Sequence, residues 1–269
     1  IVADVQALTT HFEKPEILRN AVYDVAIDNI AAGIDPEKST LFIQSMIPQI
    51  AELTVFYSML VTVNSLRHNP TIKTEAAQYG YKDMTYGFLG YPVSQAADIT
   101  FCKADLVPVG EDQVPHIEAA RKIARRFNSL YKPVLVEPEI LLGDCARLMG
   151  LDGNAKMGKS LNNCIYLSDP EDAVNMKVRS AVTDSNRIAL KEKGNPDACV
   201  VYAYHKVFNR GECENISGMC KNAGIGCTVC KKQLSSVMNT FLSPIRERRI
   251  ELEEKQDYVK DILMTGTEK

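Results

Sequence analysis

Short apolar segments alternate with amphipathic segments through the first half of the chain, and this alternation constrains the fold more than any other feature of the sequence. The segments typical of strands are 1–8, 40–44, 106–109 and 133–136. The segments with apolar residues at helical spacing are 15–33, 48–66 and 114–127. Strands that alternate with helices form a mostly parallel sheet covered by helices, and such sheets bind ligands at the carboxyl ends of their strands.

The rest of the chain has a different pattern. After about residue 168 the strand signals stop. The predicted helices there are 169–182, 199–208 and 231–263. We expect the last of them to bend near Pro244, and the segment 210–230 has little periodicity but several cysteines and glycines. These patterns predict an α/β domain over residues 1–168 and an all-helical domain over residues 169–269.

Composition and charge restrict the classes of function. With 45% apolar and 24% charged residues, the chain is typical of a soluble globular protein. The net charge of −3 argues against a DNA-coating protein, although a basic helix face, such as that of Arg121, Lys122, Arg125 and Arg126, is enough to meet a nucleic acid. We expect no membrane span and no signal peptide, and eight cysteines without one indicate a reducing, cytoplasmic compartment.

The stretch DGNAKMGKS, at 152–160, is a candidate phosphate-binding loop. Lys156 and Lys159 lie three residues apart, and two ammonium groups on a mobile loop can stabilise the charge that develops on a leaving pyrophosphate. Gly153 and Gly158 supply the backbone freedom that closure of such a loop needs. The alternative interpretation is a solvated basic loop.

The block YPVSQAADI, at 91–99, places polar residues in a helical apolar segment. Gln95 and Asp98 lie three residues apart and share one face of the predicted helix. A carboxylate in such a segment is costly unless it is paired. Its partner is either a basic or backbone group of the protein or an N–H group of a ligand.

The block VPVGEDQ, at 107–113, is a strand that runs into a glycine and two carboxylates. The end of a strand is where α/β sheets place their ligands. Glu111 or Asp112 is therefore a candidate acceptor for ribose hydroxyls. The alternative is that these acidic residues cap the helix that follows, which requires no ligand.

Four cysteines, Cys199, Cys220, Cys227 and Cys230, have the spacing C-x20-C-x6-C-x2-C. A C-x2-C pair with two further thiolates can close a four-ligand site, which holds either zinc or a [4Fe–4S] cluster. Spacing alone does not choose between the two, and Cys213 is a rival fourth ligand. The alternative is four unligated thiols.

Taken in order, these blocks resemble the bacterial tryptophanyl-tRNA synthetases, which are class I enzymes with a Rossmann-type catalytic domain. KMGKS is similar to the family's KMSKS signature, with Gly158 in place of the usual serine. YPVSQAADI and VPVGEDQ are similar to its tryptophan-pocket and nucleotide segments, and AGIDPEKSTLFIQS at 32–45 and ARRFN at 124–128 also fit. The resemblance covers essentially the whole chain. A tyrosine-specific relative is the alternative within this class.

The resemblance implies a tryptophan–tRNA ligase that activates L-tryptophan with ATP, with Mg²⁺ on the phosphates, and transfers it to tRNA(Trp). It implies that Asp98 accepts the indole N–H and that Gln113 holds the amino group or the ribose. The implied substrate-binding residues are Asp98, Gln95, Ile99, Gln113, Val107 and Val109. The implied ATP-binding residues are Gly110, Glu111, Asp112, Leu148, Lys156, Met157, Gly158, Lys159 and Ser160. Lys156 and Lys159 are the implied catalytic residues.

The resemblance also has implications for the four cysteines and for the oligomeric state. A subset of the family carries a [4Fe–4S] cluster in its helical anticodon-binding domain, and the four-cysteine spacing resembles that subset, with zinc as the alternative occupant. The cluster is expected to brace the surface that reads the anticodon, with phosphate contacts from the basic residues Lys231, Lys232, Arg246, Arg248 and Arg249. Family members are homodimers, and the apolar segment 55–66 is the expected interface.

One family motif lies outside the sequence. The first nucleotide motif, of the type PTGxLHLGH, would precede Ile1, and the last helical turns would follow Lys269. We therefore expect the chain to be part of a longer protein, or a fragment that does not activate tryptophan by itself. The rival from another class is a non-catalytic relative that binds tRNA or tryptophan, and the intact KMGKS and GEDQ blocks argue against it. The four histidines are scattered, and each is expected to be structural.

Overall fold

The computed structural model describes residues 1–143, 148–154, 157–158 and 161–269. The helices in these ranges are α1 (Asp4–His11), α2 (Glu16–Ala31), α3 (Pro48–Ser58), α4 (Val63–Arg67), α5 (Pro70–Tyr79), α6 (Tyr86–Thr100), α7 (Val114–Leu130), α8 (Glu171–Ser180), α9 (Val200–Phe208), α10 (Cys213–Lys221), α11 (Cys227–Glu254) and α12 (Gln256–Glu268). The strands in these ranges are β1 (Leu106–Val109) and β2 (Glu139–Leu142). None of the described helices is both long and apolar enough to cross a membrane.

The two strands form a parallel pair, as the alternating pattern predicts. Leu106 lies opposite Glu139 and Val109 lies opposite Leu142, and α7 connects the strands. Val2 and Ile43 form a further parallel bridge outside this pair. The strand predicted at 106–109 is confirmed, and so is the helix that follows it.

The strand predicted at 133–136 is wrong, because the second strand lies at 139–142. The side chain of Asn128 gives the physical reason. Its Oδ1 accepts the backbone N–H groups of Val134 and Leu135, both at 3.0 Å, and its Nδ2 donates to the Leu135 carbonyl at 2.8 Å. A side chain at the end of α7 therefore uses the backbone groups that a strand would need for pairing.

Two other predicted strands shrink to single bridging residues. In segment 1–8 the bridge is formed by Val2, and α1 begins at Asp4; in segment 40–44 it is formed by Ile43, and a 3₁₀ turn follows. The Asp4 carboxylate accepts the backbone N–H of Ser45 at 2.9 Å. This bond joins the two segments at the point where each stops being extended. Neither predicted strand is therefore formed over its full length.

Two predicted helices differ in extent from the observed ones. Segment 48–66 divides into α3 and α4, because Thr62 is extended and its Oγ1 accepts the backbone N–H of Ser65, which starts a new helix. The predicted helix 231–263 is interrupted at Lys255, whereas α11 continues through Pro244. Segment 210–230, which has little periodicity, contains α10.

One compact unit comprises Ile1–Ile27, Ile34–Asp144 and Gln256–Lys269. In its core, α6 packs against both α3 and α7. The buried residues of this core are Ile50, Tyr57, Val93, Ala96, Ala97, Ile99, Ile117, Ala120 and Ile123. The small side chains among them let the helices approach closely, and the Tyr57 hydroxyl is hydrogen-bonded to Thr100 at 2.7 Å.

The second compact unit comprises Asp28–Gly33 and Cys145–Lys255. Here α11 packs against α8 and α9. The largest fully buried side chains of its core are Val174, Val178, Val201, Tyr204 and Leu234. The part of this unit that the structure describes contains helices and no strand, so the prediction of a helical C-terminal region is confirmed.

Candidate functional site

Helix α6 carries the polar face that the sequence singles out. Tyr91, Gln95 and Asp98 follow one another at helical spacing, while Phe88, Leu89 and Val93 are buried in the core of the first unit. Thr85 caps the helix by accepting the backbone N–H of Phe88. The helix therefore presents these three polar side chains from a rigid support.

The Asp98 carboxylate is partly buried and is hydrogen-bonded to an uncharged amide. Gln44 Nε2 donates to Asp98 Oδ1 at 2.7 Å, and Gln44 Oε1 in turn accepts the backbone N–H of Gln6 at 3.0 Å. Burial raises the pKa of Asp98 to about 6, and the bond from Gln44 acts in the opposite direction. A carboxylate has several acceptor positions, so Asp98 can take a further N–H from a ligand.

The residues after β1 and those on α6 are brought together. Gln95 Nε2 donates to Gln113 Oε1 at 3.3 Å, and Gln113 Nε2 donates to Asp112 Oδ2 at 3.0 Å. Thr71 Oγ1, from α5, donates to the backbone carbonyl of Asp112 at 2.8 Å. A side chain at Gly110 would crowd the Asp112 carboxylate. This polar group lies at the carboxyl end of β1, where the alternating pattern predicts a ligand.

The other implied binding residues differ in burial. Ile99 is buried in the core of the first unit, and half-buried Val107 and Val109 of β1 pack against the same core. Glu111 is exposed. Leu148 belongs to the second unit, where it is half-buried against the core.

The signature loop is described only in part, because Lys156, Lys159 and Ser160 lie outside the described residues. Gly158 donates its backbone N–H to Asn163 Oδ1 at 2.9 Å, and Asn163 Nδ2 donates to Asp152 Oδ1 at 2.9 Å. The Tyr204 hydroxyl lies 3.3 Å from the Met157 sulfur. The described positions of the loop are therefore held by side chains of the second unit.

The four cysteines of the predicted metal site converge. Cys199, Cys220, Cys227 and Cys230 line one cavity of about 20 Å³ in the second unit. Burial and the three neighbouring thiols raise the pKa of Cys230 to about 12. The rival Cys213 points elsewhere, since its Sγ donates to the His205 and Asn209 carbonyls. Among the described residues, no group of three or more His, Cys, Asp or Glu is arranged to hold a metal ion.

The basic residues expected to contact tRNA phosphates are divided between internal and exposed positions. Lys231 donates to the Arg179 carbonyl at 2.8 Å, Arg246 donates to Asn239 and to the Asp169 carbonyl, and Arg249 pairs with Asp28 at 2.7 Å. The remaining two, Lys232 and Arg248, are exposed. On α7, Arg125 pairs with Glu137 at 2.6 Å and Arg121 donates to the Pro138 carbonyl.

Several residues that sequence reasoning missed contact the predicted ones. Gln44 holds Asp98, and Asn163 holds Gly158. Tyr91 is hydrogen-bonded to Glu75 and His116. For Gln44 the signals in the sequence are a polar residue at the end of an apolar segment and its place in the family-like block 32–45, and neither indicates a partner 54 residues away. Such long-range pairs leave no periodic pattern.

The comparisons with known proteins agree on one family. The family model for tRNA synthetases class I (W and Y) matches residues 1–243. The chain is 50% identical over 275 residues to the tryptophan–tRNA ligase of Lactococcus lactis and 47% identical over 276 residues to that of Streptococcus mutans. In each case the similarity covers 99% of this chain and 81% of the relative.

A solved structure shows the same similarity in three dimensions. The tryptophanyl-tRNA synthetase of Campylobacter jejuni, in complex with ADP and tryptophan, superposes with a TM-score of 0.81 at 30% identity. The superposition covers 98% of this chain and 82% of that one. The predicted Rossmann-type fold with a parallel sheet and a helical C-terminal region is thereby confirmed.

Proposed function

Since the chain belongs to the class I tRNA synthetases for tryptophan and tyrosine and acts as a tryptophan–tRNA ligase, we propose that it selects its amino acid through Asp98 and binds the polyphosphate of ATP through its signature loop. The observation that carries the proposal is the partly buried carboxylate of Asp98 on helix α6, which accepts a hydrogen bond from Gln44 at 2.7 Å. An acceptor fixed in this way suits a single N–H donor such as that of indole.

Selection through Asp98 follows from hydrogen-bond energetics. Bound tryptophan gives its indole N–H to the carboxylate, whereas phenylalanine offers no donor and leaves a partly buried charge without that bond. A site that is built around a hydrogen bond rejects an analogue that cannot make it far more strongly than an apolar pocket rejects a missing methylene. Gln95, Ile99, Val107 and Val109 complete the substrate-binding residues in this proposal.

Activation is a displacement at phosphorus. A carboxylate oxygen of tryptophan attacks the α-phosphorus of ATP, the bond to the bridging oxygen breaks, and pyrophosphate leaves as tryptophanyl-AMP forms. Gly110, Glu111, Asp112 and Leu148 contact the nucleoside, and Gln113 holds the amino group or the ribose. Positioning and charge stabilisation supply most of the rate in such reactions, and Mg²⁺ on the phosphates adds positive charge.

The signature loop supplies positive charge where pyrophosphate departs. Lys156 and Lys159 neutralise the developing negative charge, and Met157, Gly158 and Ser160 shape the loop around the phosphates. In the second step a hydroxyl at the end of tRNA(Trp) attacks the activated carbonyl carbon, and AMP leaves. The hydrogen bonds from the Gly158 N–H to Asn163 and from the Tyr204 hydroxyl to Met157 support this proposal by holding the described part of the loop.

Pyrophosphate exchange into ATP tests the activation step. The protein at its natural length is expected to exchange with L-tryptophan, and to show no exchange above background with L-tyrosine or without an amino acid. Exchange driven by tyrosine would contradict the specificity for tryptophan but not the role of Asp98, since a phenolic O–H can also donate to a carboxylate. Tryptophan binding without any exchange would favour a non-catalytic tRNA- or tryptophan-binding relative.

For the cysteine cavity we propose a four-thiolate metal site that holds a [4Fe–4S] cluster, with zinc as the alternative occupant. The donors fit in number and kind, because Cys199, Cys220, Cys227 and Cys230 line a single cavity and Cys213 does not. The cavity of about 20 Å³ has room for a single ion, and the thiols would have to move apart and reorient to ligate a cluster. Arg187 Nη1 lies 3.7 Å from Cys220 Sγ and offsets the charge of the thiolates. The group when bound would brace α10 and α11 beside the helical surface that we propose reads the tRNA anticodon, where Lys232 and Arg248 are exposed.

Elemental analysis of protein prepared without oxygen tests the metal site. The unaltered protein is expected to contain about one cluster or one zinc ion per chain. The double variant Cys227→Ser/Cys230→Ser is expected to lose the metal and any visible absorbance, because two of four ligands are gone. Cys102→Ser, at an exposed thiol of the first unit, is the matched control and should keep it. Unaltered protein without metal would contradict the site.

We also propose a homodimer that functions in the cytoplasm. In the first unit, α3, α4 and the turn between them leave large apolar side chains in solvent, namely Val55, Phe56, Met59 and Val63, each at least 50% exposed. Exposed apolar groups at this density are typical of a protein–protein interface. Light scattering on the purified protein measures the assembly, and Phe56→Glu should shift it toward the monomer.

A further inference from the structure

One buried hydroxyl of the second unit contacts two segments that carry proposed ATP-binding residues. Tyr204, on α9, is 2% exposed, and its ring packs in the core of that unit. Its hydroxyl donates to the backbone carbonyl of Met149 at 3.0 Å and lies 3.3 Å from the Met157 sulfur. Met149 follows Leu148, the proposed nucleoside contact, and Met157 belongs to the signature loop.

The Tyr204 hydroxyl has one proton for these two acceptors. Burial raises the pKa of Tyr204 to about 12, and the neighbouring Cys164 and Asp152 act in the same direction, so the phenol stays protonated at neutral pH. A carbonyl oxygen and a thioether sulfur can only accept, and the sulfur is the weaker acceptor. Met149 and Met157 therefore share a single donor, which lies between the two segments.

Asn163 joins the same two segments at a second point. Its backbone carbonyl accepts the N–H of Leu151 at 2.8 Å, and its side-chain Oδ1 accepts the N–H of Gly158 at 2.9 Å. Leu151 and Gly158 each lie within two residues of a segment's contact with Tyr204. Two connections fix the spacing of the segments, whereas one alone would let them turn about a single contact.

The contact with Met157 is more than the core of the unit requires. A buried phenol needs one hydrogen-bond acceptor, and the Met149 carbonyl already provides it. Met157 is 39% exposed, so its sulfur is not a buried group that has to find a donor. The second contact therefore serves the position of the loop rather than the burial of Tyr204.

We propose that Tyr204 is a positioning residue for the activation step, which fixes Met157 of the signature loop relative to the nucleoside segment at Leu148 and Met149. This inference rests on the proposed function, because it takes ATP as the ligand of both segments. Tyr204 acts through the backbone of one segment and the side chain of the other, without a contact of its own to ATP. Its hydroxyl thus keeps the phosphate-binding loop in register with the nucleoside.

Removal of this hydroxyl tests the role. Tyr204→Phe keeps the ring in the core, and kcat/KM for ATP in pyrophosphate exchange at saturating tryptophan should fall about tenfold, since one hydrogen-bond donor is lost. The affinity for tryptophan without ATP, measured by calorimetry, should stay unchanged, because Asp98 belongs to the first unit. The matched control is Tyr202→Phe on the same helix. It removes a hydroxyl that donates to the Cys213 carbonyl and should change neither quantity.

A second variant tests whether Tyr204 acts through the loop. Met157→Leu nearly keeps the volume but removes the acceptor sulfur, and should lower kcat/KM for ATP about threefold. The double variant Tyr204→Phe/Met157→Leu should lose no more than Tyr204→Phe alone, because both changes remove the same contact. Thermal unfolding verifies that each variant folds. If Tyr204→Phe does not fold, Met157→Leu decides, and an unaltered kcat/KM for ATP would then overturn the role.

The outcomes distinguish this inference from the proposed function. No loss in Tyr204→Phe, an equal loss of tryptophan affinity, or losses that multiply in the double variant would overturn the positioning role and leave the proposed function intact. Unaltered protein that shows no exchange with tryptophan would overturn both.

Discussion

Replacing Asp98 with alanine is expected to lower kcat/KM for tryptophan by about 10²- to 10³-fold, because the indole N–H loses its acceptor and the Gln44 amide loses its own partner. The loss corresponds to about 3–4 kcal/mol of transition-state stabilisation. Discrimination against phenylalanine should fall with it, since the site no longer penalises a ligand without the N–H. Pyrophosphate exchange at varied tryptophan and phenylalanine concentrations measures both quantities.

The matched control is Asp105→Ala, which removes an exposed carboxylate just before β1 and should leave kcat/KM unchanged. Asp98→Asn keeps an acceptor oxygen without the charge and should fall between the unaltered protein and Asp98→Ala. An Asp98→Ala variant with unaltered kcat/KM for tryptophan would show that the indole N–H is recognised elsewhere.

The same carboxylate gives the reaction a pH signature. Burial raises the pKa of Asp98 to about 6, so the ionised form dominates above that pH and the neutral acid dominates below it. The charged acceptor binds the indole N–H more strongly than the neutral acid does. Hence kcat/KM for tryptophan is expected to decline as the pH falls through about 6, and this inflection should be missing from the profile of Asp98→Asn.

The sequence pattern predicted elements whose burial follows a regular period. Segment 106–109 and the helix after it follow from apolar periodicity, and α8 and α9 were predicted within a few residues of their observed ends. The strand at 133–136 was predicted for the same reason and is wrong, because Asn128 captures its backbone groups. Periodicity records which residues are buried, but it carries no information about a side chain that competes for a backbone N–H.

The residues of the candidate site could likewise be predicted only in part. Asp98 and Gln95 were predicted from a polar residue in an apolar helix, and the four cysteines from their spacing. The partners that hold these groups, Gln44 and Arg187, come from distant segments, and nothing in the sequence around them indicates which residue they contact. His116 illustrates the difference most clearly: as a lone histidine it was expected to be structural, and its orientation toward Tyr91 became visible only through Asn69, 47 residues away.

Replacing Gly266 with alanine is expected to cause the largest loss of stability among single-methyl additions to the first unit. Gly266 is buried in α12, and a Cβ there would overlap the backbone carbonyl of Leu41 far inside van der Waals contact. Next to it, Thr267 Oγ1 accepts the backbone N–H of Ile43, which ties α12 to the same segment. Backbone atoms held on both sides cannot move aside as a flexible side chain would.

Overpacking of this kind costs about 3 kcal/mol or more, which lowers the melting temperature of a unit of this size by about 6–12 °C. Scanning calorimetry measures the shift. Gly87→Ala is the matched control: it adds the same methyl group to α6, where nothing lies within 4 Å, and should be neutral or slightly stabilising because alanine favours a helix over glycine. Equal melting temperatures for the two variants would mean that α12 does not lie against Leu41 in solution.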